Sequence, residues 1–285
     1  MTQALLNGVL LGATYALLAV GYTLVFGVMR LLTLAHGEIF MASGLVALLV
    51  SGPGTPFWLA GLYALAIGAG LSVLTDLLCF RTVGYDRPIP AAVATIGFAL
   101  VIHNGTLQLR GSSTAVSAPF DIPSLDFTVG GLLVSTVQLV GLGIAGGVMV
   151  ATHLFVTRTK WGVAMRAFSE DPAAVAVLGV PTRWLSTVTM GIAGALAGLA
   201  SFLVILRVES ISPFAGLNIG LLGLAIMTIG GLASLPGAMA AGLLLGIVDA
   251  VASYQGFAGQ AAVPWVLLVV VLLVRPRGLF GAKTA

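Results

Sequence analysis

The chain has 285 residues, 59% of them hydrophobic and only 7% charged, with a mean hydropathy of +1.13. That balance excludes a soluble globular domain, which cannot hide so much apolar surface behind so few charges, and it equally excludes a disordered chain. What remains is an all-α polytopic membrane protein, and the net charge of +3 is no nucleic-acid signal, because its basic residues fall in loops as a membrane protein requires.

Apolar runs separated by turn residues predict about nine membrane segments, at roughly 4–29, 36–51, 57–80, 90–109, 130–156, 184–206, 216–231, 236–254 and 260–274. Segments 36–51 and 216–231 are short for a span. They read as tilted, re-entrant or buried among neighbours, which leaves eight true spans as the alternative. The opening MTQALLN has no basic residue, so the first segment reads as a retained helix and not as a cleaved signal. The 38 glycines suit membrane helices whose backbones approach closely.

Between the first two segments, LTLAHGEIFM places His36 and Glu38 at the inner end of the second. Ionisable groups so near hydrocarbon are costly unless solvated, paired or capping. The pair reads either as a gate or clamp near a translocation path, or as a helix start in which Glu38 complements the helix dipole. Asp76, close to Arg81, reads as an inner-boundary residue. The lone cysteine, Cys79, excludes an intrachain disulfide or a cysteine-rich metal site and reads as a small buried hydrophobe. The stretch 110–129 is the longest outer connection and carries Asp121, Asp126 and two prolines.

The segment TRTKWGVAMRAFSEDPAAVAVLGVPTR, residues 157–183, is the one long polar and basic stretch. Within it Asp171 suits an N-cap, Pro172 the first helical position, and Gly179 a left-handed residue past the helix end. A small capped helix at the inner face is what a permease needs to dock a cytoplasmic motor. Further along, Arg207 and Glu209 read as an outer-boundary pair, and Asp249 lies deeper in its segment. The pairs Gly8/Gly12, Gly194/Gly198, Gly216/Gly220 and Gly242/Gly246 each occupy one helix face, as close helix packing requires.

Orientation follows from the basic residues. With the N-terminus outside and the C-terminus cytoplasmic, Arg30, Arg81, Arg87, Arg158, Lys160, Arg166, Arg183, Arg275, Arg277 and Lys283 fall inside, and only Arg110 and Arg207 outside. No Walker A pattern is present, since the closing GAKT lacks the Gly-Lys dipeptide, and neither HExxH nor GxSxG occurs.

Four stretches in order carry a resemblance: LNGVLLGATYALLAVGYTLVFGVMRLLTLAHGE, RAFSEDPAAVAVLGV, GGLASLPGAMAAGLLLGIVDA and the closing RPRGLFG. Nearly end to end, the chain resembles the permease subunits of branched-chain amino-acid ABC importers. The resemblance implies one of two related permeases forming a channel, two ATP-binding subunits below and an extracytoplasmic solute-binding protein above. It implies no cofactor and no metal, with ATP hydrolysis on the partner subunits. It makes 170–179 the coupling helix: Ala173, Ala174 and Ala176 give a small face for a groove on the ATPase, capped by Asp171 and Gly179, with Glu170 at its start and Arg166 adding a charge contact. His36 and Glu38 become a gate or a scaffold. Leucine, isoleucine and valine are the first expectation for cargo, with urea and short amides carried by relatives. The competing expectation is a self-sufficient ion-coupled carrier using Asp249 or Glu38; a membrane scaffold comes third.

Overall fold

In a computed structural model of the chain, the described residues are 1–111, 114–120, 126–129, 132–256 and 262–281. Asp121 and Lys283, and the start of the predicted segment 260–274, lie outside them. In chain order, α1 (Thr2–Met29) and α2 (His36–Val50) are followed by α3 (Phe57–Thr75). The last continues through a π-helical turn, Asp76–Phe80, into α4 (Arg81–Val83). Next come α5 (Pro88–Arg110), β1 (Val116–Ser117), β2 (Asp126–Val129) and β3 (Leu132–Ser135). Then follow α6 (Thr136–Arg158), α7 (Lys160–Glu170), α8 (Pro172–Val177), α9 (Thr182–Val208) and β4 (Ser210–Ile211). The chain closes with α10 (Ala215–Gly230), α11 (Leu235–Tyr254) and α12 (Val263–Val274).

An apolar helix stands at each predicted segment. Six among the described residues are long and apolar enough to cross a membrane, and α2, α10 and α12 are shorter. The reason α2 can be short is visible in its surroundings. It is buried from His36 to Leu48 apart from Val46, enclosed by α3, α5, α9 and α10, so neighbouring helices and not lipid cover it. The core therefore centres on α1, α2 and α9.

Small residues set the helix spacing. In lipid, apolar burial gives helices little reason to associate, so close van der Waals packing must hold them. The predicted glycine pairs of α1 and α11 meet one another: a Cβ at Gly8 would stand 2.7 Å from the Ile247 Cα, and one at Gly12 2.8 Å from the Leu243 Cα. Reciprocally, Gly242 lies on Ala16 and Gly246 on Gly12. Gly194 and Gly198 of α9 lie on Gly68 and Ala64 of α3. These are the two most extensive helix contacts in the molecule.

Two small antiparallel pairings depart from the all-helical expectation. β2 pairs with β3, and β1 with β4. The predicted segment 130–156 accordingly becomes helical only at Thr136, because the short apolar run Leu132–Ser135 is compatible with either structure and takes the strand. At the C-terminal end, RPRGLFG folds back on the α10–α11 turn. The Leu279 and Phe280 amides donate to the Ile229 and Gly230 carbonyls at 2.8 and 3.1 Å, satisfying acceptors that a helix end leaves open. Gly278 makes this approach possible with φ +79 and no side chain against Gly231.

Candidate functional site

Two residues apart at the start of α2, His36 and Glu38 part company. His36 is fully buried, edge-on to Tyr22 with ring centroids 4.5 Å apart, and its Nε2 would lie 2.6 Å from a Cβ placed at Gly21. Neither ring nitrogen has a hydrogen-bond partner. It packs between α1 and the start of α2, against Tyr22 and Gly21. Glu38, 7% exposed, instead turns toward α5 and α10. Its Oε2 lies 3.2 Å from His103 Nδ1, and its carboxylate sits over Gly216, where a Cβ would come within 2.6 Å of it. The pair Gly216/Gly220 thus clears space for the carboxylate and for Tyr22 as well as packing helices.

Glu38 and His103 lie in the wall of a cavity of about 360 Å³ between α2, α5 and α10. Leu34, Ile96, Leu100, Leu217, Leu221 and Leu224 make it apolar. Tyr22 also lines it; the residue is 2% exposed and, among the described residues, its hydroxyl makes no hydrogen bond of good geometry. Few polar groups converging in an apolar hollow of this size is the usual form of a small-molecule site. His103 did not figure among the candidates read from the sequence. The signal was there, an ionisable residue inside the apolar run AVATIGFALVIHNG, which in a membrane segment marks function by default.

Residues 157–183 form two short helices. Thr159 caps α7 by accepting from the Gly162 amide at 3.1 Å. Asp171 ends α7 and caps α8, its Oδ1 accepting from the Ala173 and Ala174 amides at 2.9 and 3.0 Å, with Pro172 in the first turn. Gly179 takes φ +78, the left-handed conformation expected of it. Val175 is buried and anchors the hairpin, while Ala173, Ala174 and Ala176 are exposed. Val177 and Leu178 are 87% and 80% exposed, an apolar tip on a polar segment. Glu170 is exposed. Arg166 is held locally: its Nη1 donates to the Val156 carbonyl at 2.5 Å, tying α7 to the last turn of α6.

Where this segment ends, α9 begins, and a buried carboxylate fastens it. Asp76, in the π-helical turn, is fully buried. It accepts from Arg81 Nε at 3.3 Å, the Tyr85 hydroxyl at 2.9 Å, Ser186 at 3.2 Å and Thr187 at 2.7 Å. Arg81 also donates to the Arg183 carbonyl at 3.0 Å. Burial pushes the Tyr85 phenol above its ordinary range. π turns inside helices recur at functional positions. Far from here, Asp249 of α11 accepts from the Tyr15 hydroxyl of α1 at 3.2 Å. Glu38 lines the cavity above, while Asp76 and Asp249 are bound into helix contacts by the donors just named; an ion relay needs carboxylates facing one path. Among the described residues no ion pair joins Arg207 and Glu209, and no group of His, Cys, Asp and Glu could hold a metal.

The family described as the branched-chain amino acid transport system / permease component matches residues 4–274. This chain belongs to that permease family. It is 31% identical over 299 residues to the high-affinity branched-chain amino acid transport system permease protein LivH of Escherichia coli strain K12, covering 98% of this chain and 95% of that protein. It is 27% identical over 286 residues to the probable branched-chain amino acid transport permease protein LivH of Methanocaldococcus jannaschii, covering 93% and 88%. Among solved structures, PsaBC from Streptococcus pneumoniae in complex with Fab is similar in fold at a TM-score of 0.52 and 10% identity, over 98% of this chain and 93% of that one. The chain is thus a multi-pass membrane permease component, and its apolar helices are the transport body of that family.

Proposed function

We propose that this permease forms half of the channel of an ATP-driven importer for branched-chain amino acids, as one domain spanning the whole chain. The observation that carries the reading is the near-complete alignment with LivH, 31% identical over 98% of the chain. A second permease subunit completes the channel, two ATP-binding subunits bind on the cytoplasmic side, and a solute-binding protein delivers cargo outside. The basic residues of 157–183 support a cytoplasmic position for that segment, with the N-terminus outside and the C-terminus inside. Of the nine apolar helices among the described residues, the short α10 and α12 then cross at a slant and the buried α2 crosses at a slant or reaches part-way, which gives eight or nine full spans.

In this reading, α8 is the coupling helix. Its exposed Ala173, Ala174 and Ala176 and the apolar tip Val177–Leu178 seat in a groove on the ATP-binding subunit. Asp171 and Gly179 hold its two ends. Glu170 stands exposed at its start, and Arg166 supports it by pinning α7 to α6. ATP-driven closure of the motor pushes this hairpin. The push passes through the Asp76 cluster, which joins α9 to α3, into the bundle and alternates access to the cavity beside Glu38. Asp76 and Asp249 are taken up in helix contacts and not in the cavity beside Glu38, which makes the ion-coupled carrier the lesser reading.

The test is reconstitution. The chain co-expressed with its second permease and ATP-binding subunits, with binding protein added, should take leucine into proteoliposomes only when ATP is supplied to the motor. Uptake by this chain alone, driven by an ion gradient, would replace the importer with a carrier.

A further inference from the structure

The Glu38–His103 pair is out of keeping with the rest of the interior. Other buried carboxylates have dedicated structural partners: Asp76 holds four donors around it, and Asp249 holds Tyr15. Among the described residues Glu38 has one hydrogen-bond partner, His103, through Oε2. Its surroundings are shaped for something else. Gly216 and Gly220 keep Cβ atoms away, Tyr22 brings a buried hydroxyl with no well-formed bond, and leucines of α5 and α10 line the remainder.

We infer that this cavity is a station for the solute inside the permease, where Glu38 takes the α-ammonium group of an aliphatic amino acid, His103 and Tyr22 take its carboxylate, and the wall of Leu100, Leu221 and Leu224 takes its side chain. The inference rests on the importer reading. An acceptor beside two donors is the complement of a zwitterion. With the site free, His103 Nδ1–H satisfies Glu38. When solute enters, the ammonium replaces the imidazole at the carboxylate and the freed Nδ1–H turns to the solute carboxylate. Each charged group keeps a partner throughout, so the buried carboxylate is never stranded. The volume of about 360 Å³ is in the range of small-ligand sites. The arrangement rejects deaminated acids, whose charge would face Glu38 unpaired, and polar side chains, which the leucine wall would desolvate without compensation.

The test uses the complete importer. Leu217, 66% exposed at the cavity wall, is replaced in the variant Leu217→Cys; the native Cys79 is buried. Maleimide labelling of Leu217→Cys is timed with leucine or with 4-methylpentanoate, which lacks only the ammonium group, and again with Glu38→Gln added. ATP-driven leucine uptake is measured on the same preparations. Leucine should slow labelling about tenfold, 4-methylpentanoate should not, and Glu38→Gln should abolish the protection, since a charge-assisted contact is worth about that factor. Importer that takes up leucine while leucine gives no protection, or protects equally in Glu38→Gln, overturns the station. Absence of ATP-driven uptake in the unaltered importer instead removes the importer reading, and the station with it.

Discussion

Asp76 and Thr187 lie 2.7 Å apart, joining the π-helical turn that follows α3 to the second turn of α9. They are separated by 111 positions in the chain, yet they stand where the 157–183 segment hands over to a membrane helix. A fully buried carboxylate is stable there because four donors surround it.

Removing that carboxylate leaves Arg81, Ser186 and Tyr85 without their common acceptor. Asp76→Ala is expected to destabilise the protein by about 3 kcal/mol, at the low end for a broken buried pair because Arg81 keeps 30% of its side chain exposed. Thermal unfolding in detergent checks this, and the Asp76→Asn variant, which retains an acceptor oxygen, should lose less. Equal stability of Asp76→Ala and the unaltered chain would mean that the cluster holds nothing.

The α1–α11 contact depends on the absence of side chains. Gly12→Leu forces a Cβ into the Leu243 backbone, and overpacking of this kind costs about 1–3 kcal/mol. Gly70→Ala, on α3 with open space around it, should be neutral or slightly stabilising, as alanine is in a helix. Melting temperatures of the two variants, measured side by side, separate packing from propensity.

In the coupling segment the two caps and the small face make different demands. Asp171→Ala removes an acceptor for two amides and should loosen α8 by about 1 kcal/mol, visible as faster amide exchange at Ala173 and Ala174. Ala174→Trp leaves the fold intact, since Ala174 is exposed, and under the proposed coupling role is too large for the groove on the ATP-binding subunit. It should lower solute-stimulated ATP hydrolysis about tenfold or more, as loss of a central contact does at other interfaces. Unchanged stimulation in Ala174→Trp would take α8 out of the coupling role.

The fold-back of the C-terminal end makes a separate claim. Gly278→Val meets both a left-handed φ and the Gly231 backbone, so Leu279 and Phe280 should release the end of α10. Hydrogen exchange should rise at Leu279 and Phe280, whose amides lose their carbonyl partners, and stay unchanged in α5.

Much of this was legible in the sequence, and the limits follow from physics. The nine apolar segments, the Asp171 and Gly179 caps and the closeness of Asp76 to Arg81 are local: hydrophobic run length, backbone conformation and a five-residue separation decide them. Partner choice across the bundle was not. Glu38 and His103 are 65 positions apart, and the helices that bring them together are apolar on most sides, so periodicity points to no particular neighbour. The glycine pairs announced close contacts without naming the facing helix, and only the folded chain sets Gly8 and Gly12 against Gly242 and Gly246. His36 and Glu38 looked like one feature because they are adjacent in sequence. A helix turns about 200° over two residues, so packing could give them separate surroundings.

The most direct test of the account is mass spectrometry of the proteins that co-purify with the tagged chain in mild detergent. The importer account expects two ATP-binding subunits and a second permease in stoichiometric amounts, with recovery of the ATP-binding subunits, and not of the second permease, lowered by Ala174→Trp. A folded, monodisperse preparation of this chain alone would contradict it.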